Sequence, residues 1–297
     1  MSFPYLSETE DLTDAIRSKA DGSFIRLADG MCHYELSPLP STGNDAKATV
    51  VLVHGFSVPC FIWDPTFDFL VRSGFRVLRY DLFGRGYSDR PRTNYGVELY
   101  LRQLCGLLDA LDLRQPIHLA GLSMGGVVSV AFTERFPERV SKLILVDPAG
   151  AKPIARTPLL KLIQTPILGE LTLGLGGDNF LLNSMAADFF DPDLIQHFIG
   201  RYKPQMKIKG FKRALLSTIR NNLLGDFSET YRRVGTLNTP TLLFWGRNDA
   251  TVPFAHSALV TEFIPRAELH VIENTGHIPH YEAPGEVNPL LLEFILR

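Results

Sequence analysis

The stretch PIHLAGLSMGGVVSVAF, residues 116–132, restricts the fold more than any other part of the chain. An apolar, strand-like run passes through Gly121-Leu122-Ser123-Met124-Gly125 and at once becomes helix-like. A serine on so sharp a strand-to-helix turn sits in strained backbone, and the residues two before and two after it must be small enough for the chain to pass. Ser123 is then held out at the top of a sheet. The helix that starts at Met124 aims its free N–H groups and its positive dipole end at the same point, a setting that suits an oxyanion.

The surrounding sequence repeats this strand-then-helix alternation. ATVVLVHGF, FRVLRYDL, PIHLAGLS, VSKLILVDP, TPTLLFWGRND and AELHVIENTG read as strands, the first of them apolar at successive positions as a strand covered on both faces requires. Helical stretches lie near YGVELYLRQLCGLLDALD, MGGVVSVAFTERF and PFAHSALVTEFI. SFIRLADG and MCHYEL flank an Asp29-Gly30 step, so an antiparallel hairpin opens the fold, followed by the breaker-rich linker SPLPSTGNDAK. The fold class is α/β, a doubly wound, mostly parallel sheet. From Ala151 to Arg233 the alternation stops, and helix-like pieces (LLKLIQ, DLIQHFIG, GFKRALLSTIRNNLL) follow one another between Pro and Gly. This interval, 151–233, reads as a helical cap inserted between two strands of a core formed by 1–150 and 234–297.

With 45% hydrophobic residues, 21% charged residues and a formal net charge of -2, the chain carries no basic excess to hold a phosphate backbone, so nucleic acid is not an expected partner. Cys32, Cys60 and Cys105 are odd in number and lack CxxC spacing, which argues for reduced thiols and against a disulfide framework or a metal site. The acidic N-terminal stretch has no basic segment leading into an apolar one, so the expected location is the cytoplasm. PLLKLIQTPILGELTLGLGG is apolar but lacks a Lys/Arg-rich polar face, which argues against a membrane surface. Nothing in the sequence sets an oligomeric state.

A serine hydroxyl is a weak nucleophile and needs a base, which in turn needs an acid to orient it. In this chain order the acid should follow the serine and the histidine should come last. Asp249 lies just past the strand TLLFWG, and His277 just past the next, where catalytic groups gather in open parallel sheets. Asp147, which ends ILVD, is a rival acid, and His280 a rival base with no partner to name. Asp81 and His54 read as props of their turns, and Glu282 as a cap or pairing group near a helix start. The second oxyanion donor falls on HGF: the Phe56 N–H from this loop and the Met124 N–H from the elbow would together hold the negative oxygen.

These segments, VLVHGF, YDLFGRGYSDRP, HLAGLSMGGVVSVAF, PTLLFWGRNDATVP and GHIPHYEAP, resemble those of the α/β-hydrolase fold family over nearly the whole chain outside the cap. The likeness points to the capped carboxylesterase and monoacylglycerol-lipase-like branch. It implies Phe56, Ser123 with Met124, Asp249 and His277 as oxyanion donors, nucleophile, acid and base. SVPCFIWDP after HGF lacks the Gly-Pro-Gly run common in family members that cleave carbon–carbon bonds of ring-fission products. Relatives with an aspartate nucleophile are set aside by Ser123. The expectation is therefore a serine hydrolase of small esters with an apolar acyl or aryl group, acting through an acyl-enzyme without metal or organic cofactor. Hydrolysis of a carbon–carbon bond, a lactone or an amide is the alternative on the same triad, and a non-catalytic small-molecule receptor a more remote one.

Overall fold

A computed structural model describes residues 5–39, 48–153 and 158–297, and of residues 158–160 only the backbone. Most of the expected linker, 40–47, lies outside the described residues, as does the cap stretch 154–157. Eight strands make one sheet: β1 (Ser23–Leu27), β2 (Gly30–Leu36), β3 (Val50–Val53), β4 (Val77–Tyr80), β5 (Ile117–Leu122), β6 (Val140–Val146), β7 (Thr241–Gly246) and β8 (Glu268–Ile272). Their spatial order is β1-β2-β4-β3-β5-β6-β7-β8. β1 and β2 pair antiparallel and β2 joins β4 antiparallel, whereas every pair from β4 to β8 is parallel. The hairpin turn falls on Ala28 and Asp29, one residue earlier than the Asp-Gly step suggests, with Gly30 opening β2.

All residues of β3, β4, β5 and β7 are buried, because helices cover both faces of the sheet. α1 (Asp14–Arg17) is a single turn; α2 (Asp64–Arg72), α3 (Val97–Ala110), α4 (Met124–Arg135), α10 (Ser257–Phe263), the single turn α11 (Pro279–Glu282) and α12 (Pro284–Leu296) belong to the layers around the sheet. α4 is buried almost throughout, so its apolar character runs all round rather than along one stripe. One apolar cluster joins Val51, Val53 and Leu119 to α3 and α4, and the other joins Val50, Leu52 and Ala120 to α2 and α12. The period-two alternation of β3 and β5 thus feeds opposite faces of the sheet.

Between β6 and β7 lie α5 (Pro158–Gln164), α6 (Leu168–Ala186), α7 (Ile195–Met206), α8 (Phe211–Arg220) and α9 (Ser228–Gly235). The expected boundary at 233/234 needs moving, since it falls inside α9. That helix packs on the core: Tyr231 and Val234 join the α3–α4 cluster, and the Tyr231 hydroxyl donates to Ala149 O at 2.6 Å. Among the described residues no helix is long and apolar enough to cross a membrane.

Candidate active site

β5 ends at Leu122 and α4 begins at Met124, so Ser123 alone makes the turn, with φ 54° and ψ -118°. A non-glycine residue in this region is strained. The glycines are required by close approach: a Cβ on Gly121 would overlap Gly125 O, and one on Gly125 would overlap the carbonyl oxygens of Val53 and His54. The Ser123 N–H donates to Val146 O at 3.0 Å, which ties the elbow to β6.

Asp249 and His277 stand beyond the carboxyl ends of β7 and β8, and the His277 Nδ1 to Asp249 Oδ2 distance is 2.7 Å. The other Asp249 oxygen accepts the N–H groups of Thr251 and Val252, both at 2.8 Å. Burial works against the Asp249 charge, but His277 and these N–H groups outweigh it and hold the acid below the usual carboxylate range. Burial likewise pulls His277 down, yet Asp249 and the nearby Asp188 push it up to about 9. The imidazolium that proton transfer would create is therefore well stabilised.

Ser123 and His277 meet across a cavity lined also by Phe56, Met185, Phe189 and Phe198. The Phe56 and Met124 N–H groups donate to no partner among the described residues, so both expected oxyanion donors are free beside Ser123. His54 props this loop as expected: it accepts the Leu82 N–H on Nε2 at 2.9 Å and faces Gly55 O from Nδ1 at 2.9 Å. Burial keeps it neutral, lowered to about 4. Asp81 accepts the N–H groups of Cys60 and Tyr87 and pairs with His33 at 2.7 Å, which holds the turn as expected.

The two rivals separate. His280 is fully buried and packs against Trp63, ring centroids 4.2 Å apart and planes tilted by 41°, while Asp249 bonds His277. Asp147 is fully buried beside the triad, its Oδ1 accepting the Gly246 N–H at 2.9 Å.

Three residues of the site were not legible as such in the sequence. Glu282 accepts the N–H groups of Phe190 (2.7 Å) and Asp191 (2.9 Å) on one oxygen and that of Gly276 (2.6 Å) on the other, joining the cap to the loop that carries His277. Asp188, also from the cap, lines the cavity and accepts the His277 N–H on its carbonyl at 2.7 Å. Arg85, fully buried, donates to Phe56 O at 2.7 Å and to the Thr218 hydroxyl of α8 at 2.9 Å. No short-range signal marks these roles, because the contacts that join cap and core (Glu282 to Phe190 and Asp191, Asp188 to His277, Arg85 to Thr218) link segments distant in the chain.

Two described groups have the residue types to hold a metal, His33–Cys60–Asp81 and Asp147–Asp249–His277. In the first, the Asp81 oxygens are taken by N–H donors and burial pushes the Cys60 thiol far up, which disfavours the thiolate a metal would need. The second is the Asp249–His277 pair with Asp147 beside it, where the Asp249 oxygens are already taken by His277 and by the N–H groups of Thr251 and Val252.

A serine, an aspartate and a histidine beyond the ends of β5, β7 and β8, with the Phe56 and Met124 N–H groups unpaired among the described residues, can carry nucleophilic attack on a carbonyl. Residues 50–290 match the model of the alpha/beta hydrolase family. The chain is 30% identical to 2-hydroxy-6-oxononadienedioate/2-hydroxy-6-oxononatrienedioate hydrolase 1 of Pseudomonas putida, over 95% of this chain and 99% of that protein. A solved meta-cleavage product hydrolase from Pseudomonas fluorescens aligns with TM-score 0.73 and 27% identity, covering 92% of this chain and 97% of its own. An esterase from Thermogutta terrifontis aligns with TM-score 0.75 and 25% identity, covering 93% and 98%. The curated relative and the first of these structures are thus carbon–carbon hydrolases, a different branch from the carboxylesterase and monoacylglycerol-lipase-like one that the motifs suggest. On its sequence match, its strand order and its nucleophile elbow, the chain belongs to the alpha/beta hydrolase family.

Proposed function

We propose that the chain hydrolyses a carbon–carbon bond next to a ketone, in a substrate whose departing carbon is conjugated to a second carbonyl. The observation that carries this reading is the pairing of the Ser123–His277–Asp249 geometry with relatives named for that reaction over almost the full chain. In the proposed course Ser123 attacks the ketone carbon while His277 takes its proton. The oxyanion rests on the N–H groups of Phe56 and Met124. Collapse breaks the carbon–carbon bond, the conjugated carbonyl takes up the electron pair, and His277 returns the proton to the departing fragment. Water then attacks the acyl-enzyme with His277 as base, releasing the acid and restoring Ser123.

Ester hydrolysis is the second reading, and the cavity lining favours it. Met185, Phe189, Phe198, Ile62 and Ile278 are apolar, and no Lys or Arg is among the lining residues described. The one charged acid there, Asp188, would repel a carboxylate. A substrate with a neutral acyl side suits these walls under either reading. Its free volume is ≈ 80 Å³. On a scale where one water needs about 10–15 Å³, that leaves room for a short acyl group rather than a long chain.

The test is a vinylogous diketone run beside p-nitrophenyl esters of increasing chain length, with wild type, Ser123→Ala and His277→Ala. Turnover of the diketone at least tenfold above the best ester supports the carbon–carbon reading, and turnover confined to short esters replaces it with the second. Undiminished turnover in Ser123→Ala would remove the nucleophile assignment itself.

A further inference from the structure

The groups around Asp249 include a carboxyl that the triad leaves unused. Asp147 follows β6 directly and has φ 41°, a left-handed conformation that a non-glycine residue adopts at a cost. Its backbone N–H donates to Phe244 O at 3.0 Å, and its Oδ1 accepts the Gly246 N–H. Its Oδ2 is buried without a partner among the described residues. A buried oxygen of this kind is costly if it is a carboxylate oxygen and only an acceptor.

The surroundings resolve this. Asp147, Asp249 and His277 each present a polar atom within 4.8 Å of the other two. β6 and β7 are parallel neighbours with Val146 opposite Phe244, so Asp147 lies beside the end of β7, where it accepts the Gly246 N–H and meets the loop that carries Asp249. Glu282, beyond β8, and Asp188, from the cap, add further negative charge. His277 is the one cation-forming group in contact with Asp249 among the described residues, His256 acting on it only from further off and being held below its ordinary value by burial. Two buried carboxylates that share one cationic partner cannot both stay ionised. Asp249 holds the His277 Nδ1 contact and two backbone N–H donors, so it keeps the charge. The proton goes to Asp147, where burial and the Asp249 charge both favour the neutral acid.

We propose that Asp147 is a protonated positioning residue, a fourth member of the relay whose Oδ2–H donates to Asp249 and holds that carboxylate against His277. The protonated oxygen becomes a donor, and its missing partner is Asp249. Asp147 is not among the residues that line the cavity. By partly neutralising Asp249 it lowers the basicity passed on to His277.

This inference rests on the triad reading, and the experiment separates the two. Infrared spectra of wild type and Asp147→Asn at pH 7 are compared for the carbonyl stretch of a protonated carboxylic acid, a measurement that needs no turnover. The band is expected in wild type and absent from Asp147→Asn; no difference between them overturns the proposal. In parallel, kcat and KM are measured across pH for Asp147→Leu and Asp147→Asn. Asp147→Leu should lose roughly tenfold in kcat with KM little changed, and its acid limb should move to higher pH because Asp249 without a donor is more basic. Asp147→Asn, which keeps an N–H donor, should recover most of that loss. Equal pH profiles for Asp147→Leu and wild type overturn the proposal as well. Undiminished turnover in Ser123→Ala would instead strike the triad reading and leave the infrared result standing.

Discussion

Glu282 offers the sharpest test of how the cap and the catalytic loop work together. Its carboxylate accepts three backbone N–H groups, from Phe190 and Asp191 on the cap side and from Gly276 immediately before His277. In Glu282→Ala all three donors lose their partner. Phe190 and Asp191 are exposed, so water replaces the carboxylate there at little cost. Gly276 is buried against the cap, where a Cβ would overlap Asp188 O, so its N–H has no such substitute. Losing a hydrogen bond to a charged group while leaving the donor buried costs about 2–3 kcal/mol. Half or more of that should appear in catalysis, because the released segment also carries the His277 N–H bond to Asp188 O. About 1.4 kcal/mol is tenfold in rate. The expected outcome is a loss of about 2–3 kcal/mol in urea unfolding together with a fall of at least tenfold in kcat/KM. Glu282→Gln should lie between, since an amide can accept on one side only. A destabilised variant with wild-type kcat/KM would refute the idea that the clamp positions the base.

Two other predictions address charge. Since His277 is raised to about 9, kcat/KM should climb with pH through and above neutrality as the imidazole loses its proton. Asp188→Asn removes one of the anions that hold the proton there, so the acid limb should move to lower pH and kcat/KM at pH 7 should rise severalfold; a shift to higher pH would contradict this. Asp81→Asn breaks a buried pair with His33 and should cost about 3–5 kcal/mol in unfolding free energy at neutral pH. His33, Asp81's other contacts and the Cys60 N–H together overcome burial and hold Asp81 below its ordinary value of 3.8, so its share of stability is present above that pH and is lost as the pH falls further. The gap between wild type and variant should therefore close in acid as Asp81 takes up a proton, and narrow on the alkaline side as His33, held above its ordinary 6.5 by Asp81, loses its own; a gap that closed between pH 4 and 6 would point to another group.

The sheet was legible because each buried strand is a short apolar run with a turn signal at its end, and every strand falls within its expected segment except β2, which starts one residue early at Gly30. Ser123, Asp249 and His277 were legible because a parallel sheet places its strand ends together, and chain order then chooses among candidates. α6 was not read as a helix, since Gly169, Gly176 and Gly177 weaken helix formation and only packing restores it. α2 was missed because nine residues beginning with Asp-Pro look like a turn. Asp147 was weighed as a rival of Asp249, whereas strand adjacency makes it a neighbour. Glu282, Asp188 and Arg85 were invisible as site residues because their partners lie on other segments; Arg85 and Thr218 are 133 residues apart. The bond cleaved was not legible either, since one triad serves several carbonyl chemistries and the cap walls that choose among them lack a pattern of their own.

The Arg85 contacts bear on how a substrate gets in. Its guanidinium joins the oxyanion loop to α8, while Gln205 of α7 donates to Ser57 O at 2.8 Å and accepts the Gly86 N–H at 2.8 Å. α7 and α8 are thus bolted to the same loop that must stay rigid for the oxyanion, and swinging them outward would dismantle the site. α6 carries exposed Leu168, Leu171 and Leu175 on one side and is tied to α8 on the other through Glu170–Arg220 and Asp178–Lys212. The α7–α8 part of the cap is accordingly a fixed bracket over the cavity, so a substrate has to pass beside these helices rather than push them aside.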